Sequence, residues 1–219
     1  MFKDRIEAGT LLARALGFIR NNGDLIVLAV PRGGVPVADE VARVFGAPLD
    51  LIITRKIGAP GNPELAIGAV TQDGETMVDR ALVESLRVPQ DYISAEAARQ
   101  SAEVKRRLAL YRGVRPYPNL AGRAVVIVDD GIATGSTLLA AIESAKSKGA
   151  KSIIVAAPVG AQDSVSLLSK SADRVVCLST PEPFYAIGQF YEDFRQVTDE
   201  QVRSILSSRR RPDLEHGEG

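Results

Sequence analysis

The most constraining feature of this sequence is the unbroken β-branched run at residues 125–128, which is followed by two aspartates and a short turn. Such a run is typical of a strand that is buried on both faces of a parallel sheet. Asp129 and Asp130 stand at its carboxyl end, and residues 131–137 lead into a helix that we predict to begin near Ser136. Because ligands of open α/β sheets bind beyond the carboxyl ends of the strands, we expect a ligand site here.

The turn after the two acids has the composition of an anion-binding loop. Gly131 and Gly135 allow the backbone to approach a ligand closely, so the N–H groups of residues 134–137 can converge on an anion at the helix start. Three hydroxyl side chains in that segment add donors. An acidic pair beside such a loop favours a sugar phosphate, whose hydroxyl groups or bound Mg²⁺ face the carboxylates. The alternative is a plain βα turn with helix-capping hydroxyls and solvated acids.

Strands and helices alternate along the chain, which predicts βαβ units and a parallel sheet. The predicted strands cover residues 25–30, 49–54, 125–128, 152–157 and 174–178. The fold class that follows is α/β, with about five mostly parallel strands flanked by helices. A short apolar run on each side of Asp73-Gly74 predicts an additional hairpin. We predict a helical insertion at about residues 80–113.

A second anion-binding layout follows the first strand. Pro31, Arg32, Gly33 and Gly34 connect that strand to a helix that runs to Phe45. Strand, glycine pair and helix repeat the arrangement of the acidic motif, now with a cationic side chain at the tip. The alternative is a glycine-rich turn with a solvated arginine.

Residues 57–68, which are rich in glycine and proline, are interpreted as a long irregular loop, and loops of this length are often lids or binding loops. Arg55 and Lys56 precede it at the end of the strand that covers residues 49–54. They stand where an anionic leaving group could be neutralised. The alternative is that they are ordinary surface charges.

Length and composition limit the remaining possibilities. With 219 residues, the chain suits one domain over residues 1–208, and we expect the polar residues 209–219 to be a disordered tail. The 27 basic and 27 acidic residues balance, which argues against a nucleic-acid or membrane surface. A single cysteine, Cys177, excludes an internal disulfide. No apolar run reaches membrane-spanning length and no signal peptide is evident, so we expect a cytoplasmic protein.

Aromatic residues concentrate near the end of the chain. Residues 183–194 contain five of the eleven Phe and Tyr residues. This concentration suggests a small cap, or hood, beside the edge of the sheet, formed by residues 183–197 together with the N-terminal region. An aromatic mini-core that anchors the last helix is the alternative interpretation.

Residues 125–137 resemble the 5-phosphoribosyl 1-pyrophosphate (PRPP) signature of the type I phosphoribosyltransferases: four apolar residues, two acids, a spacer and Thr-Gly-x-Thr. The resemblance extends over about residues 25–200 and implies the fold of that family. It implies catalytic roles for Asp129, Asp130, Lys56 and Arg55, and Mg²⁺ held by the two aspartates directly or through water. It further implies a 5-phosphate site at Ala133, Thr134, Gly135, Ser136 and Thr137, a diphosphate site at Arg32, Gly33 and Gly34, and an acceptor site at Phe184, Tyr185 and Gln189.

The function implied is transfer of 5-phosphoribosyl from PRPP to an unidentified nitrogen acceptor, with release of diphosphate, within nucleotide metabolism. Some purine-specific relatives carry an aspartate where this chain has Ala133, so the acceptor stays open. One alternative is a regulatory protein that binds PRPP or a nucleotide without turnover. Another is a sugar-phosphate hydrolase, because the loop indicates phosphate and not a reaction. The sequence also leaves open whether the chain forms a homodimer.

Overall fold

The computed structural model describes residues 1–21, 23–113 and 116–209. Its helices are α1 (Arg5–Ala15), α2 (Gly34–Phe45), α3 (Arg80–Ser85), α4 (Gln90–Arg112), α5 (Ser136–Ser147), α6 (Gln162–Leu168) and α7 (Asp199–Ser208), with a 3₁₀ turn at Ile187–Phe190. Its strands are β1 (Leu25–Ala29), β2 (Leu49–Leu51), β3 (Arg55–Ala59), β4 (Asn62–Val70), β5 (Thr76–Val78), β6 (Ala124–Val128), β7 (Ser152–Val159) and β8 (Arg174–Ser179). The predicted tail lies, from residue 210 onward, outside the described residues.

The main sheet contains five parallel strands in the order β2-β1-β6-β7-β8. Alternate residues of its central strands point to two separate cores, because successive side chains of a strand face opposite ways. One core packs the sheet against α1, α2, α4 and α7, and the other packs it against α5 and α6. Helices on both faces explain why residues 125–128 are all buried. The predicted α/β architecture is confirmed.

The interpretation of residues 57–68 as an irregular loop is wrong. These residues belong to β3 and β4, which pair in antiparallel fashion and form a second, three-stranded sheet with β5. Gly58 makes the pairing possible, since a Cβ there would lie 2.7 Å from the Cα of Pro63. The register shifts on each side of Gly58, and this irregularity accommodates the prolines that suggested a loop. The predicted hairpin around Asp73-Gly74 is present between β4 and β5.

Helix α4 links the two sheets. Its first half packs Ile93 and Ala97 against Ile57, Ile67 and neighbouring apolar residues of the small sheet. Its second half places Val104 and Tyr111 in the core of the main sheet. The insertion is therefore not a separate appendage, because one continuous helix contributes to both cores.

The start of the chain meets residues 190–192. The backbone of Phe2 accepts from Glu192 N–H and donates to the carbonyl of Phe190, both at 2.8 Å. The Phe2 ring also lies 5.4 Å from that of Tyr191. Within the described ranges, no helix is both long enough and apolar enough to span a bilayer.

A buried ion pair fastens the end of α4 to β2 and provides a test of the fold. The guanidinium of Arg112, 8% exposed, donates to both carboxylate oxygens of Asp50 at 2.7 and 2.8 Å. Asp50→Ala leaves that charge buried without its carboxylate partner, although the carbonyl of Pro116 still accepts from it at 2.7 Å. We expect a loss of about 3 kcal/mol in the free energy of unfolding, measured by urea denaturation.

Glu143→Ala is the matched control for this measurement. Glu143 forms an ion pair with Lys146 in which both side chains are nearly half exposed. Such a surface pair contributes less than about 1 kcal/mol. Equal losses in the two variants would contradict the structural role assigned to Asp50.

Candidate active site

The two predicted anion-binding loops leave the same edge of the main sheet. Strands β1 and β6 are parallel neighbours in which Ala29 pairs with Val128. The loops that follow them therefore start side by side. A Cβ on Gly33 would lie 1.9 Å from the Oδ2 atom of Asp130, and a Cβ on Gly34 would lie 2.7 Å from the carbonyl oxygen of Val128. Only glycine permits this contact between the two loops.

The first loop turns sharply into α2. The peptide bond between Pro31 and Arg32 is cis. Nη1 of Arg32 lies 3.4 Å from Oδ1 of Asp199, the first residue of α7. The same oxygen accepts a hydrogen bond from the hydroxyl of Tyr111 at 2.6 Å. The cationic tip of the loop is thus held in place by residues far away in the sequence.

The second loop surrounds a small cavity of about 160 Å³. Gly135 has a left-handed φ of +75° and directly precedes α5, so the chain turns into the helix with its N–H groups at the cavity. The hydroxyls of Thr134 and Ser136 lie 3.1 Å apart, and Ser164 donates to the carbonyl of Ala133. The cavity is lined by Asp129, Gly131, Ile132, Ala133, Thr134, Gly135, Thr137, Leu138 and Ile187.

The two aspartates of the motif have different environments. Asp129 lines the cavity, and its Oδ1 accepts the backbone N–H of Asp130 at 2.8 Å. Asp130 instead accepts from Nε of Arg5 at 2.8 Å, and both side chains of this pair are about one-tenth exposed. The carboxylate nearer to a ligand in the cavity is therefore that of Asp129.

Arg5 is a residue of this site that sequence reasoning missed. Besides its bond to Asp130, it donates from Nη1 to the carbonyl of Arg195 at 2.9 Å. Its guanidinium lies 3.9 Å from the centre of the Phe194 ring. The hydroxyl of Tyr191 donates to the backbone carbonyl of Asp130 at 2.7 Å. These contacts connect the start of α1 and residues 191–195 to the acidic motif. Arg5 was missed because no local sequence pattern indicates its pairing with Asp130, 125 residues away.

Burial and mutual repulsion act on the acidic pair. The pKa of Asp129 is raised, first because the side chain is desolvated and second because of the neighbouring charge of Asp130. Burial also raises the pKa of Asp130, although the positive charge of Arg5 opposes that shift. Ionised Asp129 is thus a buried anion that, unlike Asp130, has no direct ion pair with Arg5.

Arg55 and Lys56 open β3 next to the loop of residues 131–137. The hydroxyl of Thr54 donates to the carbonyl of Thr137 at 3.1 Å, which brings the start of β3 to this loop. Nε of Arg55 donates to the side chain of Gln100 on α4 at 3.0 Å, and Lys56 pairs with Ala69 of β4. The side chain of Arg55 thus contacts α4, while its backbone lies near the loop of residues 131–137.

The three acceptor candidates differ in what they can offer a ligand. The side-chain amide of Gln189 accepts from the N–H groups of Tyr185 and Ala186 and donates to the carbonyl of Pro183. The Phe184 ring lies 5.2 Å from that of Phe190. Only the Tyr185 ring, 83% exposed, presents an open face. Gln189 therefore shapes its own segment, and Tyr185 is the candidate that could stack on a ligand.

Two adjoining glycine loops, a cavity lined by Asp129 and the second loop, and a parallel sheet beneath agree with the comparison against known proteins. A family model described as phosphoribosyl transferase domain matches residues 4–195. The chain belongs to this family. The resemblance to the type I phosphoribosyltransferases is confirmed, and so is the fold that it implied.

The proteins that this chain resembles differ in how fully they match it. "Putative phosphoribosyl transferase Rv0571c" of Mycobacterium tuberculosis is 42% identical over 217 residues, which cover 99% of this chain and 49% of that protein. The chain thus spans about half the length of the curated relatives it matches. TT1426 from Thermus thermophilus is 45% identical with a TM-score of 0.85, over 94% of this chain and 98% of that one. AQ2163 from Aquifex aeolicus, 12% identical with a TM-score of 0.52 over 92% and 85%, shares the fold.

The uneven environments of the two aspartates predict opposite effects on stability. A raised pKa means that ionised Asp129 destabilises the folded protein, and this cost disappears as the pH falls toward the ordinary aspartate value of about 4. Asp129→Asn should therefore raise the melting temperature at pH 8 without divalent cations. The gain should shrink as the pH is lowered, which thermal denaturation over a pH series measures.

Asp130→Asn should do the reverse, although burial raises the pKa of Asp130 as well, because the substitution leaves the buried guanidinium of Arg5 without its carboxylate partner. Losing one partner of a buried pair costs about 3 kcal/mol or more, so this variant should melt at a lower temperature than the wild type at pH 8. Melting temperatures that shift in the same direction in both variants would contradict the different roles assigned to the two side chains.

Proposed function

We propose that this phosphoribosyltransferase domain transfers 5-phosphoribosyl from PRPP to a nitrogen acceptor and releases diphosphate. The observation that carries the proposal is the contact between the two loops, in which Gly33 lies against Asp130. One loop presents a cation, and the other presents backbone N–H groups and hydroxyls around an acid-lined cavity. A donor with a phosphate at each end and a ribose between them has the matching order of charges.

Each part of the donor has a group of this chain to meet it. The loop of residues 133–137 binds the 5-phosphate through its N–H groups and hydroxyls at the start of α5. Asp129 accepts hydrogen bonds from the ribose hydroxyls. Arg32, with Gly33 and Gly34, binds the diphosphate, and Arg55 and Lys56 complete the neutralisation of that leaving group.

The chemical step breaks the bond between C1 of the ribose and the diphosphate oxygen, and forms a bond from C1 to the acceptor nitrogen. Diphosphate leaves with the electron pair of the broken bond, and the acceptor nitrogen loses a proton. Positive charge develops on the ribose ring as the bond breaks. The carboxylate of Asp129 stabilises that charge, and the arginines stabilise the departing anion, so the catalysis is positional and electrostatic.

Mg²⁺ fits this site. Ionised Asp129 is buried with little compensation, which its raised pKa reflects, and a divalent cation supplies the missing positive charge. Among the residues that the structure describes, no three His, Cys, Asp or Glu side chains form a metal cluster. Asp129, with Asp130 acting through water, would hold the ion together with oxygens of the substrate. When bound, the ion would neutralise charge on the diphosphate.

A planar acceptor suits the remaining side of the site. The exposed Tyr185 ring offers a stacking face, whereas the amide of Gln189 is engaged within its own segment. Ala133, which is part of the loop of residues 133–137, adds no charge to the site. We therefore propose a neutral planar nitrogen base as the first class of acceptor to examine.

The direct test mixes the protein, PRPP and Mg²⁺ with a panel of nucleobases and amines and measures released diphosphate. We expect release that depends on one class of acceptor, and we expect Arg32→Gln to reduce it at least tenfold because a charged contact to the leaving group is lost. Arg14→Gln, on the exposed side of α1, is the matched control.

Two outcomes would contradict the proposal. Binding of PRPP without diphosphate release from any acceptor would favour a regulatory binding protein. Release of free ribose 5-phosphate without an acceptor would favour hydrolysis.

A further inference from the structure

One flank of α4 carries three polar side chains, two of which contact residues at the candidate site. Gln100, Arg107 and Tyr111 are seven and four residues apart, spacings that place them on the same side of a helix. Gln100 accepts from Arg55 at 3.0 Å, and Tyr111 donates to Asp199 at 2.6 Å. Arg107 lies between these two contacts along the helix.

The same contacts place Arg107 between the two arginines already assigned to the leaving group. Asp199, which Tyr111 contacts, also pairs with Arg32. The pKa of Arg55 is lowered, first by burial and second by the positive charge of Arg107. The pKa of Tyr111 is raised to about 12 by burial and by Asp199, and the charges of Arg107 and Arg32 both oppose that rise. The charge of Arg107 therefore acts on both the guanidinium of Arg55 and the hydroxyl of Tyr111.

The carboxylates around these arginines carry less negative charge than the arginines carry positive charge. Glu103 accepts from both Arg106 and Arg107, each at 2.8 Å, so it neutralises at most one of the two. Asp199 faces Arg32. Arg107 is 28% exposed, so part of its charge is removed from solvent. An excess of half-buried guanidinium groups beside a glycine loop favours an anion with several oxygens.

We propose that Arg107 is a further diphosphate-binding residue, contributed by α4 between Arg32 and Arg55. This inference rests on the proposed function. It assigns a purpose to the helical insertion, which carries part of the donor site in addition to joining the two sheets. It also explains why Glu103 faces two arginines, since a single shared carboxylate leaves Arg107 with charge available for a ligand.

Isothermal titration calorimetry with inorganic diphosphate and Mg²⁺ tests the role of Arg107, with ribose 5-phosphate as a second titrant. Arg107→Gln should weaken diphosphate binding by about tenfold or more, as the loss of a charged hydrogen bond predicts, and should leave the affinity for ribose 5-phosphate unchanged. Arg106→Gln is the matched control, because it shares Glu103 but is 62% exposed. It should change neither affinity by more than about twofold.

A second variant, for which we expect tighter rather than weaker diphosphate binding, makes the test independent of how well Arg107→Gln folds. Glu103→Gln removes the competing carboxylate, so it should tighten diphosphate binding, and the gain should vanish when Arg107→Gln is added. Unchanged or weaker binding in Glu103→Gln, or equal effects of Arg107→Gln and Arg106→Gln, would overturn the role of Arg107 and leave the proposed function standing. A wild-type protein that binds neither diphosphate nor PRPP would overturn both.

Discussion

The pairing of β1 with β6 determines where the chemistry of this molecule can occur. Because Ala29 and Val128 are partners in adjacent parallel strands, the cationic loop and the acidic loop begin side by side. Gly33 then meets the carboxylate of Asp130 at a distance that no other residue would allow. A shift of one residue in this register would turn the buried side chains of β6 to the opposite faces and separate the loops. The site therefore depends on the packing of the sheet as much as on its own residues.

The sequence allowed the strands of this sheet and both glycine loops to be predicted, because each is encoded locally. The β-branched run before Asp129 and the glycine pair after Arg32 are patterns that a short stretch of chain carries by itself. The strands of residues 57–68 were missed because their pairing depends on the close approach of Gly58 to Pro63. Composition showed only the glycines and prolines, which more often indicate a loop.

The residues that orient the predicted ones were missed for a different reason. Arg5 meets Asp130 across 125 residues, and Arg32 meets Asp199 across 167 residues. Such pairs become visible only when the fold brings α1 and α7 to the loops. For Gln189 the error is the opposite one. The sequence suggested that its side-chain amide binds the acceptor, but in the structure that amide forms hydrogen bonds within residues 183–186. Local sequence thus predicted the two glycine loops, whereas the fold showed which residues hold them in place.

The different environments of Asp129 and Asp130 explain how one motif could hold the fold together and still leave a charge for the proposed ligand. Asp130 joins Arg5, and through it residues 194 and 195, so its charge maintains the arrangement of the site. Asp129 lines the cavity with a raised pKa, so its ionised form is a strained state of the unliganded protein that a cation or a developing positive charge relieves. If both aspartates were paired internally, no anion would remain for the ligand. If neither were paired, two buried charges would repel each other, so the asymmetry lets the acidic pair be both stable and reactive.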